Sequence, residues 1–179
     1  TACDPCPTGR WGRDPGLSSS DSCLACLPGR YGVQSGATSA ETACALCEHG
    51  MIRQFHQAEC RACDAGTYAN EKRTECLPCD AGAHGKDKGR TTSACSGLCP
   101  VGKYSALYAT SCTLCEVGKH NPSVGRKDAC LPCDPSHPTY ETSDRPGAAE
   151  CVCLPGKYNN TEGKCVPCSE GMDCSEAGG

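Results

Sequence analysis

The stretch that decides the fold is Cys26-LPGRYGVQSGATSAETA-Cys44, after which Cys47 opens the next such segment. Gly29 stands three residues after Cys26, and an aromatic ring, Tyr31, follows two residues later. A glycine at a fixed offset predicts a backbone with positive φ, or the close approach of another segment. Residues two apart share one side of an extended segment, so the ring is predicted to cover a nearby disulfide. The stretch therefore predicts a small hairpin that is closed by cysteines.

The same pattern repeats along the chain. From Cys6 to Cys168, nine steps between cysteine doublets cover 162 residues, a mean period of 18 that indicates a repeat architecture. The second cysteine of a doublet opens a C-x-x-G motif in nine units, with glycines at Gly9, Gly29, Gly50, Gly66, Gly82, Gly102, Gly118, Gly156 and Gly171. The rings two residues later are Trp11, Tyr31, Tyr68, His84, Tyr104, His120 and Tyr158, and Ile52 holds that position in one further unit.

Composition excludes most fold classes. The 179 residues include 21 cysteines but only one Phe and one Trp, so a disulfide scaffold has to replace the hydrophobic core of an ordinary domain. The apolar runs are too short to span a membrane. A net charge of −4 gives no reason to expect a nucleic acid as partner. So many cysteines predict an oxidising compartment, and hence a secreted or cell-surface protein.

Two regular pairing schemes use 20 of the 21 cysteines. The serial scheme closes each loop on itself and leaves Cys3 unpaired within the chain, with a partner expected upstream of Thr1. An interleaved scheme, with pairs such as Cys3–Cys23, leaves Cys174 instead. Loops of a single kind favour the serial scheme, although sequence alone leaves both open. Its pairs are Cys6–Cys23, Cys26–Cys44, Cys47–Cys60, Cys63–Cys76, Cys79–Cys95, Cys99–Cys112, Cys115–Cys130, Cys133–Cys151, Cys153–Cys165 and Cys168–Cys174.

C-x-x-C doublets are also typical of zinc knuckles and of thioredoxin-like redox enzymes. Zinc knuckles commonly place a glycine directly after the second cysteine, whereas that position here holds residues such as Pro7, Leu27 and Glu48. Nothing in the pattern resembles a βαβ unit, and the histidines are scattered. We therefore expect no metal, no cofactor and no enzymatic activity, and we expect the ring-position histidines to pack on disulfides.

The loop C-x-x-G-x-aromatic resembles the first module of tumour-necrosis-factor-receptor cysteine-rich domains, and still more the ephrin-receptor-like cysteine-rich repeats. Residues 26–44 carry the full form, and residues 130–158 resemble the ephrin-receptor version with its C-x-C. These families belong to the same broad class as EGF-like disulfide modules. The resemblance implies serial disulfides and an extracellular repeat architecture, and it is shared by receptors, adhesins, surface antigens and filament proteins.

Two further sites stand out. Asn159-Asn160-Thr161 is a glycosylation sequon, which predicts a glycan on Asn159 in a secreted chain. The segment 51–55 contains the only Ile and the only Phe, so Met51, Ile52 and Phe55 are candidate contacts for a protein ligand. The alternative interpretation of this segment is a variant loop that packs on its own disulfide.

The sequence thus predicts a small disulfide-rich fold: an elongated rod of about ten tandem β-hairpin loops, with little helix and a minimal core. Residues 1–99 and 100–179 are expected to form one continuous array rather than independent domains. The expected function is that of an extracellular stalk or filament subunit. Its expected partners are other protein subunits, in a homo-oligomer or filament, and glycans. The alternative is the ligand-binding ectodomain of a cell-surface receptor.

Overall fold

A computed structural model describes residues 4–13, 22–55, 59–133, 146–153, 156–161 and 165–171. These residues contain short strands and one helical turn, α1, at Ala40–Ala43. The strands are β1 Arg10–Trp11, β2 Leu24–Ala25, β3 Arg30–Gly32, β4 Cys44–Leu46, β5 Met51–Ile52, β6 Arg61–Ala62, β7 Thr67–Ala69, β8 Cys76–Pro78, β9 Ala83–His84, β10 Gly97–Leu98, β11 Lys103–Tyr104, β12 Thr113–Leu114, β13 Lys119–His120, β14 Leu131–Pro132, β15 Lys157–Asn159 and β16 Cys165–Pro167.

Every strand pairs with its neighbour in sequence, β1 with β2 and so on to β15 with β16, and every pair is antiparallel. Each hairpin joins the residues after a C-x-x-G glycine to the residues between the cysteines of the next doublet. Tyr31, for example, lies opposite Ala45, and Gly32 lies opposite Cys44. The predicted disulfide-rich hairpin architecture with little helix is confirmed for the described residues.

Nine disulfides close the hairpins, and each joins the two cysteines that flank one loop. They are Cys6–Cys23, Cys26–Cys44, Cys47–Cys60, Cys63–Cys76, Cys79–Cys95, Cys99–Cys112, Cys115–Cys130, Cys133–Cys151 and Cys153–Cys165. These are nine of the ten serial pairs. Cys168 is disulfide-bonded too. Its predicted partner Cys174 and the predicted unpaired Cys3 lie outside the described residues.

The C-x-x-G glycines have the predicted left-handed backbone, with φ between 73° at Gly102 and 90° at Gly171. Two of them show why a side chain is excluded even apart from φ. A Cβ on Gly50 would lie 1.9 Å from the carbonyl oxygen of Gly89, and a Cβ on Gly102 would lie 1.9 Å from that of Gly147. These glycines therefore set how closely the loops pack.

The chain forms two compact units. The first comprises Thr1–Cys79 and Gly85–Cys95, and the second comprises Asp80–His84 and Ser96–Gly179. We call them the first unit and the second unit.

Within each unit, successive loops are joined by backbone hydrogen bonds that recur at the same register. The N–H of a C-x-x-G glycine donates to the carbonyl of the residue three positions after the next such glycine. These bonds run from Gly29 to Arg53 (2.8 Å) and from Gly66 to Gly85 (2.8 Å) in the first unit, and from Gly82 to Ser105 (2.9 Å) and Gly102 to Asn121 (2.8 Å) in the second. Because polar backbone groups are satisfied between loops, the loops can stack without a large apolar core.

Disulfides take the place of the core. Cys47, Cys63, Cys79, Cys99 and Cys115 are fully buried, while Ile52 is the only large aliphatic side chain that is fully buried among the described residues. Conversely, eleven of the fourteen leucines and valines that the structure describes are exposed, namely Leu24, Leu27, Leu46, Leu98, Leu107, Leu114, Leu131, Val33, Val101, Val117 and Val124. No helix in the described part of the chain is long and apolar enough to cross a membrane.

Candidate functional site

The predicted contact segment divides into an inward and an outward part. Met51 and Ile52 form β5, so their side chains point to opposite faces. Phe55 is 58% exposed and Met51 is half-buried, but Ile52 is completely buried against Cys63, Ala69 and Cys76. The prediction that Ile52 contacts a partner is therefore wrong, because its side chain packs on the disulfide of the next loop.

Met51 and Phe55 line an open cleft of about 890 Å³ in the first unit. Tyr31 adds a phenol ring, while Arg10 and Glu59 add charges of opposite sign. Glu48 and Arg53 line it too, so the cleft mixes apolar and charged groups. Its volume lies in the range of ligand sites in proteins. The sequence placed Met51 and Phe55 in one segment but gave no sign that β1 and β3 would complete a concave surface around them.

Arg53 forms part of this cleft and is 93% buried, since only 7% of its surface is exposed. Its Nη1 donates hydrogen bonds to the carbonyl of Arg30 at 2.7 Å and to that of Cys26 at 3.4 Å. A guanidinium that is buried against carbonyl groups fixes the backbone around it, because each carbonyl would otherwise lose a partner. Arg53 thus holds β5 and β3 in place beneath the cleft.

Arg53 stands three residues after the C-x-x-G glycine, a position that we call the inner position. The sequence did not reveal the role of this position. In the second unit, Ser105 and Asn121 hold it and are almost completely buried. Each donates to the carbonyl directly after the preceding loop's glycine: Ser105 Oγ to Ala83 at 2.7 Å, and Asn121 Nδ2 to Lys103 at 2.6 Å. The signal that could have found them is a polar residue recurring at this register.

Sequence reasoning also missed the structural role of Arg73. It stands seven residues after Gly66, where other loops carry a turn glycine such as Gly89, and it has a positive φ of 58°. The N–H of Gly89 donates to the carbonyl of Cys63, and the Arg73 guanidinium donates instead to the carbonyl of Cys47. The side chain makes the contact that a glycine backbone makes in the longer loops.

We call the position two residues after the C-x-x-G glycine the cap position. Four caps lie against a disulfide, as predicted, and it is the disulfide of the next loop: Trp11, Ile52, His84 and His120. Trp11 packs on the cluster that contains Cys26 and Cys44, and Ile52 packs on Cys63 and Cys76. The two residues share one role, although one is a ring and the other is aliphatic.

In the second unit the cap position brings imidazole rings against sulfur. His120 Nδ1 lies 3.0 Å from Cys151 Sγ and 3.9 Å from Cys133 Sγ. His84 Nδ1 lies 3.5 Å from Cys112 Sγ. In the tautomer with its proton on Nδ1, the histidine donates a hydrogen bond to the sulfur.

Each of these histidines forms, with the two cysteines of its disulfide, a group whose ligand atoms all lie within 4.8 Å of one another. That spacing would suit a metal ion if the cysteines were thiolates. In both groups the two sulfurs are joined to each other, as Cys99–Cys112 and as Cys133–Cys151, so neither carries thiolate charge. The chemistry available is that of an imidazole beside a disulfide.

The remaining predicted sites are located as follows. Asn159 lies in β15, with its backbone paired to Cys165. His49 is exposed, and its Nε2 lies 3.3 Å from Arg73 Nη2. This contact is with an arginine and not with a disulfide. His56 and His137 fall outside the described residues.

No protein-family model matches the chain, and a comparison with curated proteins finds no significant match.

Proposed function

We propose that this chain is an extracellular structural or interaction protein, a cysteine-rich repeat stalk or filament subunit in which the loops stack into an elongated array. The observation that carries the proposal is the backbone hydrogen bond that recurs between successive loops, from Gly29 to Arg53 in the first unit and from Gly102 to Asn121 in the second. A bond that uses backbone alone can be repeated indefinitely, which is the basis of stacked repeat proteins. The resemblance to ephrin-receptor-like repeats supports the same architecture.

The exposed apolar side chains support an interacting role. Disulfides fill the interior, and most leucines and valines are left on the surface. Exposed patches of apolar side chains commonly form protein–protein interfaces. We therefore propose other subunits, including copies of this chain, as partners. Nine disulfides are consistent with an oxidising, extracellular location.

The test is to measure the mass and shape of the non-reduced protein over a hundredfold concentration range, by analytical ultracentrifugation and negative-stain electron microscopy. We expect elongated particles that associate as the concentration rises. A triple variant, Leu27→Glu, Leu107→Glu and Val124→Glu, should remain monomeric. The matched control adds the same charges at exposed polar positions, Thr92, Thr113 and Ser123, and should still associate. Compact monomers throughout would contradict the proposal.

The alternative function, a ligand-binding receptor ectodomain, is favoured by one observation, the cleft that contains Met51, Phe55 and Tyr31. It predicts monomers that bind a soluble protein through this cleft. Capture of a soluble protein by the immobilised chain, if lost in Phe55→Asp and kept in Leu107→Asp, would favour the receptor. Both leucine and phenylalanine here are more than half exposed, so the two variants are comparable in their effect on folding.

A further inference from the structure

The contact between His120 and the Cys133–Cys151 disulfide points to a function that the stacked architecture does not require. We propose that this disulfide is a site of covalent exchange with external thiols, at which Cys133 takes up the thiol and Cys151 is released. The ligand class is a thiol, either a small molecule or a cysteine in a peptide. The proposal does not depend on the stalk or receptor role of the chain.

The leaving group decides which of the two sulfurs is attacked. Thiol–disulfide exchange is faster when the departing sulfur is stabilised as a thiolate. His120 Nδ1 is 3.0 Å from Cys151 Sγ but 3.9 Å from Cys133 Sγ. In the tautomer with its proton on Nδ1, the ring therefore stabilises negative charge on Cys151 more than on Cys133. Hydrogen bonds to charged groups are the stronger kind.

Access slows attack on both sulfurs of this disulfide but does not choose between them. Cys133 is 4% exposed and Cys151 is 7% exposed, so neither sulfur is clearly more open to attack. The Cys99–Cys112 disulfide differs, because Cys99 is fully buried while Cys112, the sulfur nearer to His84, is half-buried. In Cys99–Cys112, the more accessible sulfur is Cys112, which favours attack on it. The imidazole of His84 instead favours the departure of Cys112, so access and leaving-group stabilisation oppose each other.

The thiol–disulfide exchange needs no oxidant or reductant. The external thiol loses its proton to solvent and its thiolate attacks Cys133 Sγ. A new S–S bond forms between them as the Cys133–Cys151 bond breaks, and the electron pair leaves on Cys151 Sγ. That thiolate accepts the hydrogen bond from His120 and then takes a proton from solvent. The products are one mixed disulfide on Cys133 and one free thiol on Cys151.

The Trp11 and Ile52 caps provide the internal comparison. They cover Cys26–Cys44 and Cys63–Cys76 at the same register, but neither makes a hydrogen bond to sulfur in the described contacts. A disulfide under an apolar cap lacks the stabilised leaving group. The matched comparison is Cys26–Cys44, because its cysteines are buried about as deeply, at 1% and 2% exposed, whereas Cys76 is half-buried. We expect exchange at Cys26–Cys44 to be about tenfold slower or more, the effect of one hydrogen bond to a developing charge.

The experiment incubates the intact, non-reduced protein with glutathione, and in a second arm with a short peptide that contains one cysteine. Free thiols are trapped with N-ethylmaleimide, and the modified cysteines are identified by mass spectrometry. We expect the mixed disulfide on Cys133 and the maleimide on Cys151. Reaction with glutathione alone indicates a small-thiol site, and reaction in both arms indicates that peptide thiols enter as well. Reaction in neither arm overturns the proposal.

The matched variant is His120→Phe, which keeps a flat ring over the disulfide and removes the N–H donor. We expect about a tenfold slower exchange at Cys133–Cys151 and an unchanged rate at Cys99–Cys112. An unchanged rate at Cys133–Cys151 in a folded variant overturns the proposal. If the variant does not fold, the wild-type regiochemistry decides instead: glutathione found equally on Cys133 and Cys151 overturns it too.

Discussion

The two units of this protein use one backbone frame, and both carry tyrosines at some of its cap positions, but the remaining caps differ. In the first unit, Trp11 and Ile52 place apolar groups on Cys26–Cys44 and Cys63–Cys76. In the second unit, His84 and His120 place ring nitrogens against sulfur. The frame therefore demands a side chain that covers the next disulfide but does not demand that it be apolar. Chemistry at the disulfide can vary while the fold stays the same.

The largest expected effect tests whether the frame is the same in both units. Gly50→Ala in the first unit and Gly102→Ala in the second each place a Cβ 1.9 Å from a backbone oxygen, which cannot move without displacing a neighbouring loop. We expect each variant to lose about 3 kcal/mol or more in the free energy of unfolding, or to fail to form its native disulfides. Guanidinium unfolding and the yield of fully oxidised protein measure this.

The control for both variants is Gly9→Ala. Gly9 is also a C-x-x-G glycine with a positive φ, of 86°, but the added Cβ meets only Gly32 Cα, at 4.0 Å. It isolates the backbone preference from the steric contact, and a cost of only about 1–2 kcal/mol is expected. Equal damage in all three variants would mean that positive φ, and not loop packing, makes these glycines necessary.

The next prediction compares the caps themselves. Ile52→Ala removes a fully buried aliphatic group from above Cys63 and should lower the free energy of unfolding by about 2–4 kcal/mol. His84→Ala removes a half-buried imidazole and should cost only about 1 kcal/mol. The exposed Leu27→Ala serves as control and should change stability by less than about 0.5 kcal/mol.

Denaturant unfolding with the disulfides intact measures all three variants. A loss for His84→Ala as large as that for Ile52→Ala would show that the imidazole is simply part of the core. The caps of the two units would then differ in residue type but not in their contribution to stability.

These differences also show what could be predicted from sequence. The register of cysteines and C-x-x-G glycines predicted the hairpins, because spacing along one loop decides them. A ring covers the disulfide of the next loop because of the distance and direction between successive loops. The spacing of residues within one loop does not encode that displacement. Arg53 was missed as a structural residue because a charged side chain gives no sign that it will be buried on the carbonyls of Arg30 and Cys26. The cleft was missed because its walls come from four strands together, β1, β2, β3 and β5.

The smallest expected effect concerns charge on the surface of the first unit. Lys88 Nζ donates a hydrogen bond to Asp64 Oδ1 at 2.8 Å and, with its positive charge, holds the pKa of that carboxyl below its usual value. A lowered pKa in the folded state means that the pair stabilises the fold above the unfolded-state pKa near 4. The contribution disappears as the pH falls through the lower, folded-state value. Both side chains are well exposed, so the contribution is small.

Asp64→Asn should therefore lower the melting temperature by about 1 °C at pH 7 and leave it unchanged near pH 2. Differential scanning calorimetry at the two pH values measures this. The matched control is Asp80→Asn in the second unit, since Asp80 also directly follows the second cysteine of a doublet and makes no ion pair among the described residues. The glutathione exchange rate at Cys63–Cys76 should be the same in both variants as in the unmodified protein. A change in that rate with Asp64→Asn would mean that surface charge, and not the cap residue, governs how the disulfides of the two units react.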